Sequence, residues 1–286
     1  MPIQPLPSSL PPQDDSFLIE PRALLSDSHQ NAAVILDTRP KEAYAAGHIP
    51  GALPVSTYDY FVPDTTPSGM RDFANTAIAL YRAAGITNAV PVIVYDDATG
   101  VRAARELWVL EYLGHPNVRL LHGGFSAWQA YGGPVDTHIP DTRASQWNAA
   151  IDNSGFITAR EIANDLGRSD RVIVDVRDEA EHRGEDHLAC CARRGHVPGA
   201  IWIYWTDFLE GGRFKSPQAI RELLLSRGIR ESDELVPYCH RGARSANAYL
   251  AFRLAGFTRI RNYIGSWHEW SATPDLPLEL GHRQNR

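Results

Sequence analysis

The chain has 286 residues, 43% of them hydrophobic and 22% charged, the balance of a soluble globular protein and length enough for two domains of roughly 150 residues each. That balance excludes collagen, long coiled coil and wholesale disorder. With 28 Lys and Arg against 34 Asp and Glu the formal charge is −6, so no general attraction to nucleic acid or a membrane surface is expected, and a bound anion must be held by a local cluster of cations.

Residues 1–15 come first, a stretch holding Pro2, Pro5, Pro7, Pro11 and Pro12. They read as a flexible tail, without the basic cluster and apolar run of a signal peptide. No run of about 18 apolar residues suggests a membrane span. Three cysteines, two of them adjacent, are no disulfide framework, so a reducing, cytoplasmic setting is expected.

From residue 16 the chain alternates β-branched runs with helical patterns, and it does so twice. Val34-Ile35-Leu36-Asp37-Thr38-Arg39 is followed by Gly47-His48-Ile49-Pro50-Gly51-Ala52. Val172-Ile173-Val174-Asp175-Val176-Arg177 is followed by Gly195-His196-Val197-Pro198-Gly199-Ala200. Val92-Ile93-Val94-Tyr95 answers Leu235-Val236-Pro237-Tyr238, and Gly123-Gly124-Phe125-Ser126-Ala127-Trp128 answers Gly265-Ser266-Trp267-His268-Glu269-Trp270. Matching blocks in one order predict two tandem α/β domains, 16–133 and 154–280, each a mostly parallel sheet flanked by helices. The stretch 134–153, with Pro134, Pro140 and no periodicity, reads as linker. Ala246, Tyr249, Leu250, Arg253 and Leu254 mark a helical stripe that Gly256 ends.

Duplication supplies an internal control: shared features belong to the fold, unshared ones to chemistry. Asp37 with Arg39, and Asp175 with Arg177, are therefore expected to brace the C-terminal edge of each sheet. His48 and His196 are expected to be hydrogen-bonded turn residues. The halves part after the tyrosine, where one reads Cys239-His240-Arg241-Gly242-Ala243-Arg244-Ser245 and the other Asp96-Asp97-Ala98-Thr99-Gly100-Val101-Arg102. The thiolate is the reactive form of cysteine, and helix N-termini with nearby cations bring thiols from about 8.5 to about 3.5–7.5. A cysteine between a strand and a helix thus predicts a nucleophile. Successive loop N–H groups form a concave anion site, and Arg241 and Arg244 add positive charge. Asp96 offers no thiol and repels anions, so the first domain is expected to be inactive and to serve as scaffold, site wall or partner surface.

On these residues the chain resembles the tandem-domain rhodaneses, the sulfurtransferase family that includes thiosulfate and 3-mercaptopyruvate sulfurtransferases, from about Phe17 to Pro277. The resemblance implies that Cys239 takes the outer sulfur of a small anionic donor as a persulfide. It then passes the sulfur to cyanide or a thiol, a protein thiol included, by ping-pong covalent catalysis without a cofactor. Backbone groups of Gly242, Ala243 and Ser245 are expected to hold the persulfide, and Arg241, Arg244, Arg183 and His240 to bind substrate. In the family a basic residue two places after the cysteine goes with thiosulfate, and a Cys-Gly-Ser-Gly loop with mercaptopyruvate. Arg241 therefore favours thiosulfate, with 3-mercaptopyruvate as the alternative. Two features depart from the pattern. Glu181 stands where a donor-binding arginine is expected, with Arg183 as its substitute, and the loop ends in Arg244-Ser245 as in single-domain members.

The path from Asp175 to His196 is longer by ten residues than that from Asp37 to His48, and an insertion in the active half is expected to rim the site. Its His182, His187, Cys190, Cys191 and His196 match no standard zinc spacing, so no metal is expected. Cys190 and Cys191 are candidates to accept sulfur from Cys239 or to shield it in a disulfide, with an ordinary solvent-facing loop as the alternative. Two rival functions stand beside sulfur transfer. A cysteine phosphatase needs one more residue between Cys239 and Arg244, and a binding module without chemistry leaves Cys239 and its cations unexplained. For His240, steadying the thiolate, guiding the acceptor and facing solvent are all open.

Overall fold

The β-branched runs become buried parallel strands. In the first half Val34–Asp37 pairs with Val92–Tyr95, setting Leu36 opposite Val94, and the sheet continues to Val118–Leu121 and Leu18–Ile19 on one side and Leu53–Pro54 on the other, all parallel. Every residue of Val92–Tyr95 is buried, as a strand covered on both faces by helices requires. The computed structural model describes residues 17–25, 33–186, 189 and 191–281; the tail 1–15, His187 and Cys190 lie outside the described residues.

The second half repeats the order in reduced form. Glu234–Tyr238, Arg171–Asp175 and Ile201–Trp202 make a parallel sheet, and the outer positions shrink to parallel bridges between Leu235 and Ile260 and between Phe156 and Asn262. A short antiparallel hairpin, Leu209–Glu210 with Arg213–Phe214, is added beside it. Among the described residues no helix is long and apolar enough to cross a membrane.

Each Asp-x-Arg pair braces its sheet edge. Asp37 accepts from Arg39 Nε and Nη2 and from the Tyr95 hydroxyl, and Arg39 Nη2 also reaches the Gly47 carbonyl at 2.7 Å. Asp175 repeats this with Arg177, Tyr238 and the Gly195 carbonyl, and adds His182 Nδ1 at 2.9 Å. Burial works against the Asp175 charge, yet Arg177 and His182 hold its carboxyl well below the usual range. His48 and His196 are buried turn residues, as expected: their Nδ1 atoms lie 3.0 Å from the Tyr44 carbonyl and 2.8 Å from the His182 carbonyl.

One hydrophobic cluster crosses the boundary between the halves, from Leu107, Trp108 and Leu110 to Ala246, Leu250 and Phe252. Its centre is the helix Ala243–Leu254, which packs on the helix Val101–Tyr112 of the other half. Sequence periodicity showed one apolar stripe there. In the structure Ser245, Asn247, Ala248 and Ala251 are buried as well, because this helix is wedged between its own sheet and the neighbouring domain. The stretch 134–153 is docked along the first half: Trp147 is buried, its carbonyl accepts from Arg82 Nε, and Ala150 N–H donates to Leu113.

Candidate active site

Cys239 follows the last residue of the strand Glu234–Tyr238, and three residues later Gly242 opens the helix Ala243–Leu254. Gly242 sits at φ 87°, and a Cβ there would lie 2.7 Å from the Ile264 carbonyl oxygen. Only glycine makes this turn without strain. It aims the Gly242 N–H at Cys239 Sγ, 3.1 Å away. Behind the sulfur stands Ser266, whose Oγ accepts the Cys239 N–H at 3.1 Å and lies 3.9 Å from Sγ. Ser266 adopts φ 55°, and it is the non-glycine residue with positive φ among the described residues.

The thiol lines a cavity of about 420 Å³ whose wall comes from both halves. From the second come His240, Arg241, Arg244 and Trp205; from the first come Tyr58, Asp59, Phe61, Val101 and Arg105. From the sequence, scaffold, site wall and partner surface were all open for the first domain, and none of these residues was identified. The buried Arg105 couples the halves, since it donates to the Tyr58 and Tyr60 carbonyls and, at 3.2 Å, to the Arg241 carbonyl in the cysteine loop. The loop 57–61 is held further by Glu106, which accepts from Thr57 N–H and Oγ1 and from the Tyr81 hydroxyl.

The cations of the loop divide in role. Arg241 lies over the Phe61 ring at 4.6 Å, with the His268 ring edge-on to Phe61 at 4.9 Å, and no carboxylate is in ion-pair range of it among the described residues. Arg244 instead reaches Glu181 at 2.8 Å and Asp178 at 3.0 Å. Burial opposes its charge, but Cys239, Glu181 and Asp178 together hold it firmly protonated. His240 is half-buried, and burial, followed by Arg241 and Arg244, lowers its pKa to about 4. It is neutral at physiological pH and brings no positive charge to the thiolate.

Two of the residues expected to bind substrate have carboxylate partners of their own. Arg183, expected to bind the donor, is outside the cavity wall: its guanidinium pairs with Glu179 one turn back, and with Glu185 at 3.7 Å. Arg244, expected as a donor cation, does line the cavity but is already engaged by two carboxylates. Of the loop backbone groups expected to hold the persulfide, those of Gly242, Ala243 and Ser245, the Gly242 N–H is the one that meets Sγ among the described residues. Cys191 is buried with Trp267 and Val197 in a different cluster from Cys239, which gives the sulfur relay no support.

Comparison with known proteins agrees with this architecture. The rhodanese-like domain matches residues 20–131 and 158–273. The chain is 31% identical over 268 residues to a thiosulfate sulfurtransferase of Pseudomonas aeruginosa, covering 93% of this chain and 98% of that one. It is 33% identical over 282 residues to a probable 3-mercaptopyruvate sulfurtransferase of the same organism, covering 94% of each. The crystal structure of a probable thiosulfate sulfurtransferase, 32% identical, superimposes with a TM-score of 0.68 over 86% of this chain and 97% of that one. The chain therefore belongs to the rhodanese family, as a sulfurtransferase with two rhodanese-like domains in tandem.

Proposed function

We propose that the enzyme moves the sulfane sulfur of thiosulfate to a thiophilic acceptor through a persulfide on Cys239. The Cys239 thiolate attacks the outer sulfur of thiosulfate, the sulfur–sulfur bond breaks, and sulfite leaves with the bonding electron pair. Cyanide or a thiolate then attacks the outer sulfur of the persulfide, giving thiocyanate or a new persulfide and restoring the thiolate. The observation that carries this reading is Cys239 Sγ at the base of a cavity, receiving the Gly242 N–H, with Arg241 on the wall beside it. Hydrogen-bond donors already in place stabilise the charge that stays on sulfur at each step. A reducing, cytoplasmic setting suits a catalytic thiolate.

Arg241 favours thiosulfate over 3-mercaptopyruvate, because a dianion gains more from one cation than a monocarboxylate does. A phosphatase reading loses ground, because Arg244 faces Glu181 and Asp178. The test is thiocyanate formation from each donor in parallel, with Cys239→Ala as blank and intact-mass measurement after donor exposure. Thiosulfate is expected to give the higher kcat/KM, Cys239 to gain one sulfur atom, and the variant to lose at least about a thousandfold in rate. A preference for mercaptopyruvate overturns the donor, and the absence of a sulfur adduct overturns the mechanism.

A further inference from the structure

We propose that Glu181 sets the affinity of the cavity for anions by neutralising Arg244, so that Arg241 and the buried Arg105 are left to meet the charge of the donor. Arg244 stands on the cavity wall in the first turn of the helix Ala243–Leu254. Its Nη1 lies 2.8 Å from Glu181 and 3.0 Å from Asp178, and its Nη2 lies 3.3 Å from the second Glu181 oxygen. One guanidinium between two carboxylates presents a net negative group to an entering anion. The Glu181 side chain is 9% exposed and that of Arg244 18%, so salt screens this pair weakly. Asp178 is 57% exposed and counts for less.

Both carboxylates also cap the helix Glu179–Arg183, where Glu181 accepts the Asp178 N–H at 3.2 Å. Gln does the same in a capping box, and Asn is as good an N-cap as Asp. Glu181→Gln and Asp178→Asn therefore remove charge while keeping the helix start. Glu181→Gln is expected to lower KM for thiosulfate about three- to tenfold, an order of magnitude set by one charge acting on a dianion at short range. The gain is expected to be smaller for the monoanion 3-mercaptopyruvate, smaller again in Asp178→Asn, and to shrink as salt is added.

The turnover arm rests on the sulfur-transfer reading, so a second arm runs without turnover. Sulfate, a dianion that donates no sulfur, is titrated as a protectant of Cys239 against iodoacetamide in the full-length reduced enzyme. Half-protection is expected at several-fold lower sulfate in Glu181→Gln, and the gain is expected to vanish in Glu181→Gln combined with Arg244→Gln. Half-protection and KM unchanged or raised in Glu181→Gln would mean that Glu181 only steadies Arg244, and would overturn the proposal. A gain that survives loss of Arg244 would overturn it too. A wild type that forms no thiocyanate defeats the sulfur-transfer reading, while the sulfate arm still decides the part played by Glu181.

Discussion

Phe125 and Ser126 donate their backbone N–H groups to the carbonyls of Asp96 and Asp97, and Trp267 and His268 do the same for Cys239 and His240. The two loops thus hang in one frame, yet they treat the helix start that follows in opposite ways. In the first half the Asp96 carboxylate itself accepts the N–H groups of Asp97 and Arg102, and it fills the space a Cβ on Gly100 would need. The protein supplies its own anion there. In the second half a sulfur takes that place, met by one N–H and open to a cavity. Behind the loops, Gly124 and Ser266 share a left-handed conformation, φ 60° and 55°. Glycine adopts it freely, whereas serine is strained. The strain is kept in the half where a hydroxyl can hold Cys239. The two loops differ in what faces the helix N-terminus and in how they reach it: the helix starts five residues after Asp96, through Gly100 at φ −100°, and four after Cys239, through Gly242 at φ 87°.

Gly242→Ala is the strongest way to break the comparison. A methyl group at φ 87° against the Ile264 carbonyl must push the turn aside, at about 1–3 kcal/mol of strain, and with it the N–H that meets the sulfur. By analogy with the loss of one oxyanion-hole donor, sulfur transfer is expected to fall about a hundredfold, while thermal unfolding shifts by only a few degrees. Steady-state cyanide assays with a melting curve check both, and a variant of full activity would show that the Gly242 N–H is incidental.

Ser266→Gly sharpens the comparison by giving the second half the residue of the first. Relief of backbone strain offsets only part of the loss of two buried hydrogen bonds, those of the Ser266 hydroxyl with the Cys239 N–H and the Tyr263 carbonyl, each about 1 kcal/mol, and stability is expected to fall by about 1 kcal/mol. Turnover is expected to fall roughly five- to tenfold, the worth of one hydrogen bond that holds the nucleophile. Comparing unfolding free energy with kcat separates the two effects; a loss of stability at unchanged kcat would make Ser266 a purely structural residue.

The chemistry of this site was legible where it was contiguous. Cys239, Arg241, Gly242 and Arg244 stand in one short segment, and aligning the repeats exposed Asp96 as its inactive counterpart. The same alignment set Ser266 against Gly124, the trace of a positive φ that went unread. Arg105, Tyr58, Phe61 and Trp205 were not legible, because periodicity tells which face of an element is buried and not against which partner. The adjacent charges Arg105-Glu106, set between Ala103-Ala104 and Leu107-Trp108, were the available hint. Arg183 misled for a related reason: a charge seen in sequence shows no partner, and Glu179 one helical turn away is the nearest claimant. The parallel strand pattern was read correctly at the centre of each sheet, where both faces are covered, while the edges of the second sheet are too short to leave a pattern.

Protons offer the mildest way to separate the halves. Burial and then the loop arginines lower His240 to about 4, burial and then Arg241 lower His268, and burial and then His182 lower His196. Between about pH 6.5 and pH 4 His240 is charged in the unfolded chain and neutral in the native one, so the unfolded state binds more protons and stability falls as pH drops through that window; His268 and His196 act in the same direction. Asp96 has the opposite sign: burial raises its pKa against the pull of the Asp97 and Arg102 N–H groups. Its contribution is therefore present below the unfolded value and lost as pH rises through the native one. Urea unfolding is expected to show the native protein losing stability between about pH 7 and pH 4.5, and His240→Gln losing less of it. Above about pH 6.5 the two proteins should show the same pH slope, since His240 is neutral in both states there. An equal loss in the variant at low pH would place the sensitive groups elsewhere and leave His240 as an ordinary wall residue.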